Sequence, residues 1–347
     1  MAFAGPIHTG AALLPILAVM AQRTILCPGQ GAQSVGMGKA WHDHSAEARA
    51  VFARADALLG HRLGAPLSTL CFEGPADRLN QTDVSQPAIY VCSVASWVGL
   101  LARWGAGAHA SMAEAGIVGT AGLSLGEYTA LHVAGAFTFE DGLELVVLRG
   151  RAMQDAADAV KNPDGSPGSG MVALIGADAA QAEGVCAEAR RTDVLVPANF
   201  NAPGQVVISG HMSACKRAVE VAAAMGLRAA PLPVAGAFHS SIMQPAADRL
   251  RAALAKTSIK PLSPACPVVS NVTGVAHDPS PESVREKLVA QLTHPVLWDQ
   301  GCKWLLGELA PRAHGTVEHH ELAPGRTLAG LMRRIEKTAK VETHDEP

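Results

Sequence analysis

The sequence predicts an α/β protein built on a mostly parallel sheet, and two observations support this. From residue 24 onward, short apolar segments alternate with segments of helical periodicity, the pattern expected of parallel strands covered by helices. The 347 residues are 48% apolar and 17% charged and include 34 Gly and 22 Pro, which indicates a globular chain with many tight turns. This composition excludes a disordered or fibrous protein, and the length suits about two domains.

The first half of the chain contributes the start of the sheet. Four elements are predicted before residue 160: strands at 24–27 and 117–121, and helices at 127–134 and 139–157. Thr138, followed three residues later by Asp141, is a typical signal for a helix N-terminus. The Pro- and Gly-rich segment 161–170 is the clearest boundary in the chain.

A different pattern follows that boundary. Six elements are predicted in succession: strand 171–175, helix 179–190, strand 194–198, strand 205–209, helix 213–225 and strand 228–234. The order β-α-β-β-α-β over about 65 residues is that of a ferredoxin-like unit. We therefore expect a small subdomain at 170–234, inserted between segments 24–165 and 235–337 of a larger α/β subdomain.

The larger subdomain is expected to continue to residue 337. Its remaining predicted elements are a helix at 244–255, a strand at 267–270 and a helix at 327–337. Residues 1–23 are interpreted as an N-terminal extension. Met20 is a plausible alternative start, and residues 1–19 would then lie outside the fold. The polar tail 338–347 is expected to fray.

Charge and cysteine content exclude several kinds of partner. The formal net charge is −3 and no run of Lys or Arg is present, so we expect no nucleic-acid partner. Seven cysteines without a C-x-x-C pair indicate neither a disulfide framework nor a zinc ribbon, and they favour a reducing cytoplasm. The longest wholly apolar run, 11–21, is shorter than the about 20 residues needed to span a bilayer, so we expect no membrane association.

Residues 122–126 form a G-x-S-x-G motif between a predicted strand and a predicted helix. The two glycines permit the tight turn that lifts the Ser124 hydroxyl off the sheet edge, and the helix N-terminus directs backbone N–H groups at an oxyanion. A motif this short also arises by chance, so an ordinary Ser in a glycine-bounded turn is the alternative. The strand-turn-helix context favours Ser124 as a nucleophile.

A nucleophilic Ser needs a base, and spacing alone does not choose among the fourteen histidines. His239 is favoured because it follows the predicted strand 228–234, and sites in parallel α/β folds gather beyond the carboxyl ends of the strands. His211 also follows a strand and remains the alternative.

Arg149 lies in a very apolar helical segment, where most of the helix surface should be buried. An unpaired guanidinium there would be costly, so it must reach solvent or meet an anion. One option is a salt bridge to Glu140 or Asp141. The other is a substrate carboxylate held by two parallel hydrogen bonds.

Two further segments contain residue types found in cofactor sites. The loop 28–33 is Gly-rich, but Ser34 replaces the third glycine of G-x-G-x-x-G and no P-loop motif is present, so a nucleotide site is excluded. The loop could instead contribute an oxyanion-hole N–H. Residues 318–321 read Glu-His-His-Glu, but adjacent residues do not share a helix face, so we expect no metal site.

Taken together, these residues resemble the malonyl-CoA:acyl-carrier-protein transacylases and the related acyltransferase domains of fatty acid and polyketide synthases. The matching segments occur in the family's order and cover nearly all of residues 24–335: PGQGAQSVGMG (28–38), SQPAIY (85–90), GLSLGEYTAL (122–131), LRGRAMQ (148–154), NFNAPGQVVISG (199–210), GAFHSSIMQPA (236–246), SNVTG (270–274), QLTHPVLW (291–298) and APGRTLAGL (323–331). The resemblance implies an α/β-hydrolase-like large subdomain with an inserted ferredoxin-like small subdomain.

The resemblance also implies roles for matching residues. Ser124 would be the acylated nucleophile and His239 its base. Gln30 and Leu125 would supply the backbone N–H groups of the oxyanion hole. Gln291 would orient the His239 ring, a task that a carboxylate performs in ordinary triads.

Substrate contacts follow in the same way. Arg149 would bind the free carboxylate of a malonyl group, and Asn199 and Gln86 would form pocket walls. The chain departs from the family at Leu123, where a His usually precedes the nucleophile, and this affects the expected rate and acyl selectivity. The GAFHS sequence at 236–240 resembles that of malonyl-selecting domains.

The implied activity is transfer of malonyl from malonyl-CoA to the phosphopantetheine thiol of an acyl carrier protein, through a Ser-linked acyl-enzyme, in fatty acid or polyketide biosynthesis. We expect a monomer with no bound cofactor. The alternatives are an acyl-thioester hydrolase of the same fold, a polyketide-pathway acyltransferase with another acyl selectivity, and a non-catalytic docking subunit. Two basic clusters could attract an acidic carrier protein or form solvated helix faces: Arg249, Arg251 and Lys256, and Arg333, Arg334 and Lys337.

Overall fold

The structure is a computed structural model, and it describes residues 21–107, 111–309 and 316–347. Within these ranges the elements are, in chain order, β1 (Gln22–Cys27), α1 (Lys39–His44), α2 (Ala46–Leu59), α3 (Leu67–Phe72), α4 (Ala76–Leu79), α5 (Thr82–Arg103), β2 (Ile117–Gly122), α6 (Gly126–Val133), α7 (Phe139–Asp158), β3 (Ser169–Ile175), α8 (Ala179–Arg190), β4 (Leu195–Ala202), β5 (Gln205–His211), α9 (Met212–Ala224), β6 (Arg228–Pro231), α10 (Gln244–Leu254), α11 (Pro281–Gln291), α12 (Trp298–Leu309), β7 (Val317–Leu322), α13 (Thr327–Ile335) and β8 (Val341–His344).

The larger subdomain contains a parallel sheet with strand order β2-β1-β7-β8. The predicted strand at 267–270 forms only isolated β-bridges. In one of them, Val268 pairs in parallel with Thr120 of β2. The predicted extension 1–23 is too long, because Gln22 and Arg23 already pair with Val317 and Glu318 of β7. The rest of that extension, residues 1–20, lies outside the described residues.

The prediction that the C-terminal tail frays is wrong, because Val341–His344 forms strand β8. This strand pairs in parallel with β7, and the Trp41 indole donates a hydrogen bond to the carbonyl of His344 at 2.8 Å. His344 is buried whereas Glu342 is exposed. Four residues within a polar segment are too few for the period of a strand to stand out in the sequence.

The inserted unit is an antiparallel sheet with strand order β4-β5-β3-β6, covered by α8 and α9. The ferredoxin-like prediction for this region is confirmed in both element order and pairing. Asp178 begins α8 with a capping box in which the side chains of Asp178 and Gln181 each accept from the other's backbone N–H.

Helix α5 forms the centre of the larger core, and the sequence analysis did not predict it. Nineteen of its 22 residues are buried, so it lacks the polar face that produces a helical hydrophobic period. By length and composition it could span a membrane, but 94% of its most apolar window lies inside the protein, as in a core helix. Gly99 permits close packing, because a Cβ there would lie 2.4 Å from the ring of Trp41.

Candidate active site

Ser124 lies on a sharp turn between β2 and α6, with a backbone φ of 53° that residues other than glycine rarely adopt. Neither glycine of the motif could carry a side chain. A Cβ on Gly122 would lie 1.9 Å from the carbonyl carbon of Gly126, and a Cβ on Gly126 would lie 2.0 Å from the carbonyl oxygen of Cys27. Packing therefore requires both glycines, and the strained turn places the Ser124 hydroxyl at the carboxyl end of β2.

The loop after β1 packs directly against this turn. A Cβ on Gly29 would lie 2.2 Å from the carbonyl oxygen of Leu123, and the Leu123 N–H donates to the carbonyl of Cys27 at 3.1 Å. The backbone N–H groups of Gln30 and Leu125 make no hydrogen bond within the described part of the chain. Two free donors thus flank the nucleophile from two different loops, the arrangement that an oxyanion hole requires.

His239 meets Ser124 from the loop beyond β6. Its Nε2 lies 2.9 Å from the Ser124 Oγ, and its Nδ1 lies 2.7 Å from the backbone carbonyl of Gln291. Because a carbonyl can only accept, Nδ1 carries the proton and Nε2 is free to take one from Ser124. His239 also has a positive φ, 59°, so two of the three non-glycine residues with positive φ in the described ranges form this pair.

The His239 ring is buried. The pKa of His239 is lowered to about 4, mainly by burial and in smaller part by the positive charge of Arg149. Hydrogen bonds to the carbonyls of Gln291 and His294 act in the opposite direction. The imidazole is therefore neutral at physiological pH, which is the form that can accept a proton.

Arg149 reaches the same point from α7 and is 1% exposed. Its guanidinium donates to the Ser124 Oγ at 3.0 Å, to the Gln86 side chain at 2.8 Å and to the Gln291 side chain at 2.9 Å. Its Nε has no partner, and among the described residues no carboxylate lies within ion-pair distance. A buried, permanently charged group without a counter-ion is suited to receive an anion.

Arg149 does not form the alternative salt bridge to Glu140 or Asp141. Glu140 forms an ion pair with Arg54, and the Asp141 carboxylate accepts from the Thr138 hydroxyl at 2.8 Å. Both acidic residues lie in the first turn of α7, whereas Arg149 is more than two helical turns further along.

Gln291, at the end of α11, contacts the His239 ring that the resemblance expects it to orient. Its backbone carbonyl, not its side chain, accepts from the His239 ring. The side-chain amide donates to the Ser124 carbonyl at 2.9 Å and to Glu127 at 2.5 Å, while its oxygen accepts from Arg149. A single residue thus touches the nucleophile, the base and the buried cation.

Beneath the turn lies a buried polar cluster that the sequence analysis did not identify. Glu127 is fully buried and contacts His277 at 2.6 Å. Asn271 accepts from the Ser124 N–H at 2.6 Å and donates to the Gly122 carbonyl at 2.8 Å. The signal for Asn271 was its place after the predicted strand 267–270, since residues there meet at the sheet's carboxyl edge.

The site opens into a cleft of about 570 Å³ between the two subdomains. From the larger subdomain its wall includes Ser124, His239, Arg149 and Leu123, and from the smaller one it includes Asn199. Gln86 differs from its expected place: it is fully buried behind Arg149 and is absent from the cleft wall among the described residues.

Other candidates lie away from the cleft. His211 ends β5, where its ring accepts from the Val194 N–H at 3.0 Å, and it is not part of the cleft wall. Residues 318–321 belong to β7 rather than to a helix.

Comparison with known proteins agrees with this geometry. Residues 24–324 match the model of the acyl transferase domain family. The chain is 39% identical over 329 residues to "Malonyl CoA-acyl carrier protein transacylase" of Salmonella typhimurium, covering 94% of this chain and 97% of that protein.

Solved structures of similar proteins share the fold. A malonyl-CoA:acyl carrier protein transacylase from Xanthomonas oryzae pv. oryzae superposes with a TM-score of 0.82 at 36% identity, covering 94% of this chain and 95% of that one. A malonyl-transacylase solved with its type II polyketide synthase acyl carrier protein gives 0.81 at 33% identity, with 94% and 97% covered. By sequence and by structure, the chain belongs to the acyl transferase domain family.

Proposed function

We propose that this protein is an acyl-carrier-protein S-malonyltransferase that works through a malonyl ester on Ser124. The observation that carries the proposal is the buried Arg149 guanidinium, which lacks a carboxylate partner and contacts the same hydroxyl that His239 contacts. A base and an anion-binding group therefore both contact the nucleophilic oxygen, the Ser124 Oγ. An acyl group that ends in a carboxylate fits this arrangement better than a simple fatty acyl group.

The first half-reaction begins when His239 takes the proton from the Ser124 hydroxyl. The Ser124 oxygen attacks the thioester carbonyl of malonyl-CoA, and the negative charge that develops on the carbonyl oxygen is stabilised by the backbone N–H groups of Gln30 and Leu125. The carbon–sulfur bond then breaks, and the CoA thiolate takes the proton from His239. Malonyl remains attached to Ser124 as an ester.

The second half-reaction reverses these steps with a different thiol. His239 takes the proton from the phosphopantetheine thiol of the carrier protein, and the thiolate attacks the malonyl ester. The Ser124 oxygen leaves and recovers the proton from His239. Throughout, Arg149 holds the malonyl carboxylate, and Gln86 and Gln291 fix the guanidinium in place.

The remaining features of the proposal concern setting and partners. We infer that the enzyme is a cytoplasmic monomer that requires no bound cofactor, since Ser124 and His239 supply the chemistry. We also infer that it serves fatty acid or polyketide synthesis. Leu123, in place of a polar residue beside the nucleophile, contributes an apolar wall to the cleft.

The competing function is hydrolysis, because transferase and hydrolase share every step until the acyl-enzyme forms. The test is to prepare malonyl-enzyme, remove malonyl-CoA, and follow its decay with and without holo acyl carrier protein. We expect decay to be much faster with the carrier and malonyl to appear on the carrier thiol. Decay to free malonate at the same rate with and without several carriers would replace the transferase with a hydrolase.

Docking of an acidic carrier requires local positive charge on a protein of net charge −3. The cluster at α10 is partly neutralised, because Arg249 pairs with Asp155 at 2.6 Å and Arg251 with Asp248 at 2.8 Å. The cluster at α13 includes Arg333 and Arg334, which are exposed and have no acidic partner among the described residues. This difference favours α13 as the carrier surface.

The two clusters serve as matched controls for each other. Arg333→Glu with Arg334→Glu should raise the KM for the carrier and flatten its salt dependence, while acylation by malonyl-CoA stays nearly unchanged. Arg249→Glu with Arg251→Glu should have the smaller effect on the carrier KM. The opposite ranking would move the carrier surface to α10.

A further inference from the structure

Two Glu-x-His sequences lie side by side at the edge of the parallel sheet. Glu318 and His320 belong to β7, and Glu342 and His344 belong to β8. The parallel register pairs His320 with Glu342, and side chains two residues apart in a strand share a face. All four side chains therefore lie on one face of the sheet.

Three of these residues bring potential ligand atoms together. The His320 Nδ1 lies 2.9 Å from the His344 Nε2 and 3.7 Å from a Glu342 carboxylate oxygen, and the other Glu342 oxygen lies 4.0 Å from the His344 Nε2. Ligand atoms about 2.0–2.2 Å from a tetrahedral zinc ion are separated by about 3.3–3.6 Å. The observed separations bracket that range, so shifts of a few tenths of an ångström would form the site.

The surroundings resemble those of a metal-binding histidine. His320 is 2% exposed, and its Nε2 makes no hydrogen bond, although a Glu318 carboxylate oxygen lies 3.5 Å away. Arg23 holds that Glu318 carboxylate through an ion pair at 3.1 Å. Histidines that bind a metal through one ring nitrogen commonly direct the other ring N–H to a carboxylate, the position that Glu318 occupies.

We propose that His320, Glu342 and His344 bind a divalent transition-metal ion of the zinc type, with Glu318 as the carboxylate that orients His320. Two imidazoles and one carboxylate, without a thiolate, form a donor set that zinc, cobalt and nickel accept. A water molecule would complete four ligands on the side of the exposed Glu342.

A hydrogen bond between the two rings would also explain the 2.9 Å separation of the His320 Nδ1 and the His344 Nε2. It would leave the Glu342 carboxylate, which lies 3.7 Å from the His320 Nδ1, without a role.

The bound ion would attach β8 to the rest of the sheet. This strand is only four residues long and lies at the sheet edge, where it pairs with β7 alone. A metal bridge from His320 to Glu342 and His344 would slow the local opening of β8 without touching Ser124.

The test uses the untagged full-length protein after treatment with a chelator. Zinc titration by calorimetry should show one site per chain, zinc should raise the Tm, and it should slow backbone hydrogen exchange at 341–344. Cobalt should give the visible absorption of a tetrahedral site at the same stoichiometry. Glu342→Gln should weaken zinc binding at least tenfold, and Glu318→Gln about tenfold.

Glu346→Gln is the matched control, because it removes the same charge from an exposed position in the same tail. It should bind zinc as the wild type does. His344→Gln should abolish the site, and acylation of Ser124 checks that this variant folds. Absence of one-to-one zinc binding to the wild type, or equal binding by wild type and Glu342→Gln, would overturn the proposal.

Discussion

The two subdomains contribute different things to the cleft between them. The larger one supplies Ser124, His239 and Arg149, all on buried or strained backbone and joined by hydrogen bonds of 3.0 Å or less. The smaller one supplies wall residues such as Asn199 and Val207, neither of which hydrogen-bonds to these three groups. Under the proposed function, the larger subdomain would perform the chemistry and the smaller one would shape the substrate space.

Loss of the base should have the largest effect in this comparison. His239→Ala should slow acylation of Ser124 by about 10²–10⁴-fold, because an unassisted serine hydroxyl is a poor nucleophile. The measurement is single-turnover acylation by malonyl-CoA. Near-normal acylation would place the base elsewhere, with His211 the next candidate.

Arg149→Ala should produce the next largest effect, and only for one kind of acyl group. Transfer of malonyl should lose about 2–5 kcal/mol of transition-state stabilisation, the scale for breaking a buried, hydrogen-bonded charge pair. Transfer of acetyl should change little or increase. Arg151→Ala, an exposed position on the same helix, is the control. Equal losses for both acyl groups would mean that Arg149 has a structural role.

The pH dependence of acylation should reflect the low pKa of His239. A base works only when unprotonated, so the rate should be constant above about pH 5 and fall near tenfold per unit below the pKa of about 4. In Arg149→Ala the inflection should move to higher pH, because a charge that lowers this pKa is gone. An inflection near 6.5 in the wild type would mean that the His239 ring is solvated.

The smallest effect is expected from the small subdomain. Asn199→Ala should raise the KM for malonyl-CoA a few fold and leave the single-turnover rate at saturation nearly unchanged, because Asn199 is part of the cleft wall and makes no hydrogen bond to the Ser124 or His239 side chain. Steady-state and single-turnover kinetics separate the two quantities. A rate loss as large as that of His239→Ala would mean that the smaller subdomain also takes part in the chemical step.

Sequence reasoning predicted the local elements of the catalytic centre well, for a physical reason. The turn at Ser124 needs two glycines within five residues, and the inserted unit has well-separated strands and helices. Helix α5 escaped prediction because burial on all sides removes its hydrophobic period. Short strands such as β8 depend on pairing with distant residues, which composition does not reveal.

Long-range contacts account for most of what the sequence left open. The contact between Gln291 and His239 runs through a backbone carbonyl, which no residue type can signal. Glu127 and His277 meet across 150 positions of the chain. The segment 318–321 was judged against a helix face, whereas in a strand alternate residues share a face and gain partners from β8.

The central claim is that Ser124 carries the malonyl group, and intact-mass analysis after incubation with malonyl-CoA tests it most directly. The wild type should gain one malonyl adduct, and digestion should locate it on the peptide that contains Ser124. Ser124→Ala should gain none, although its fold and its Arg149 site are retained. A stoichiometric adduct that persists in Ser124→Ala would contradict the account.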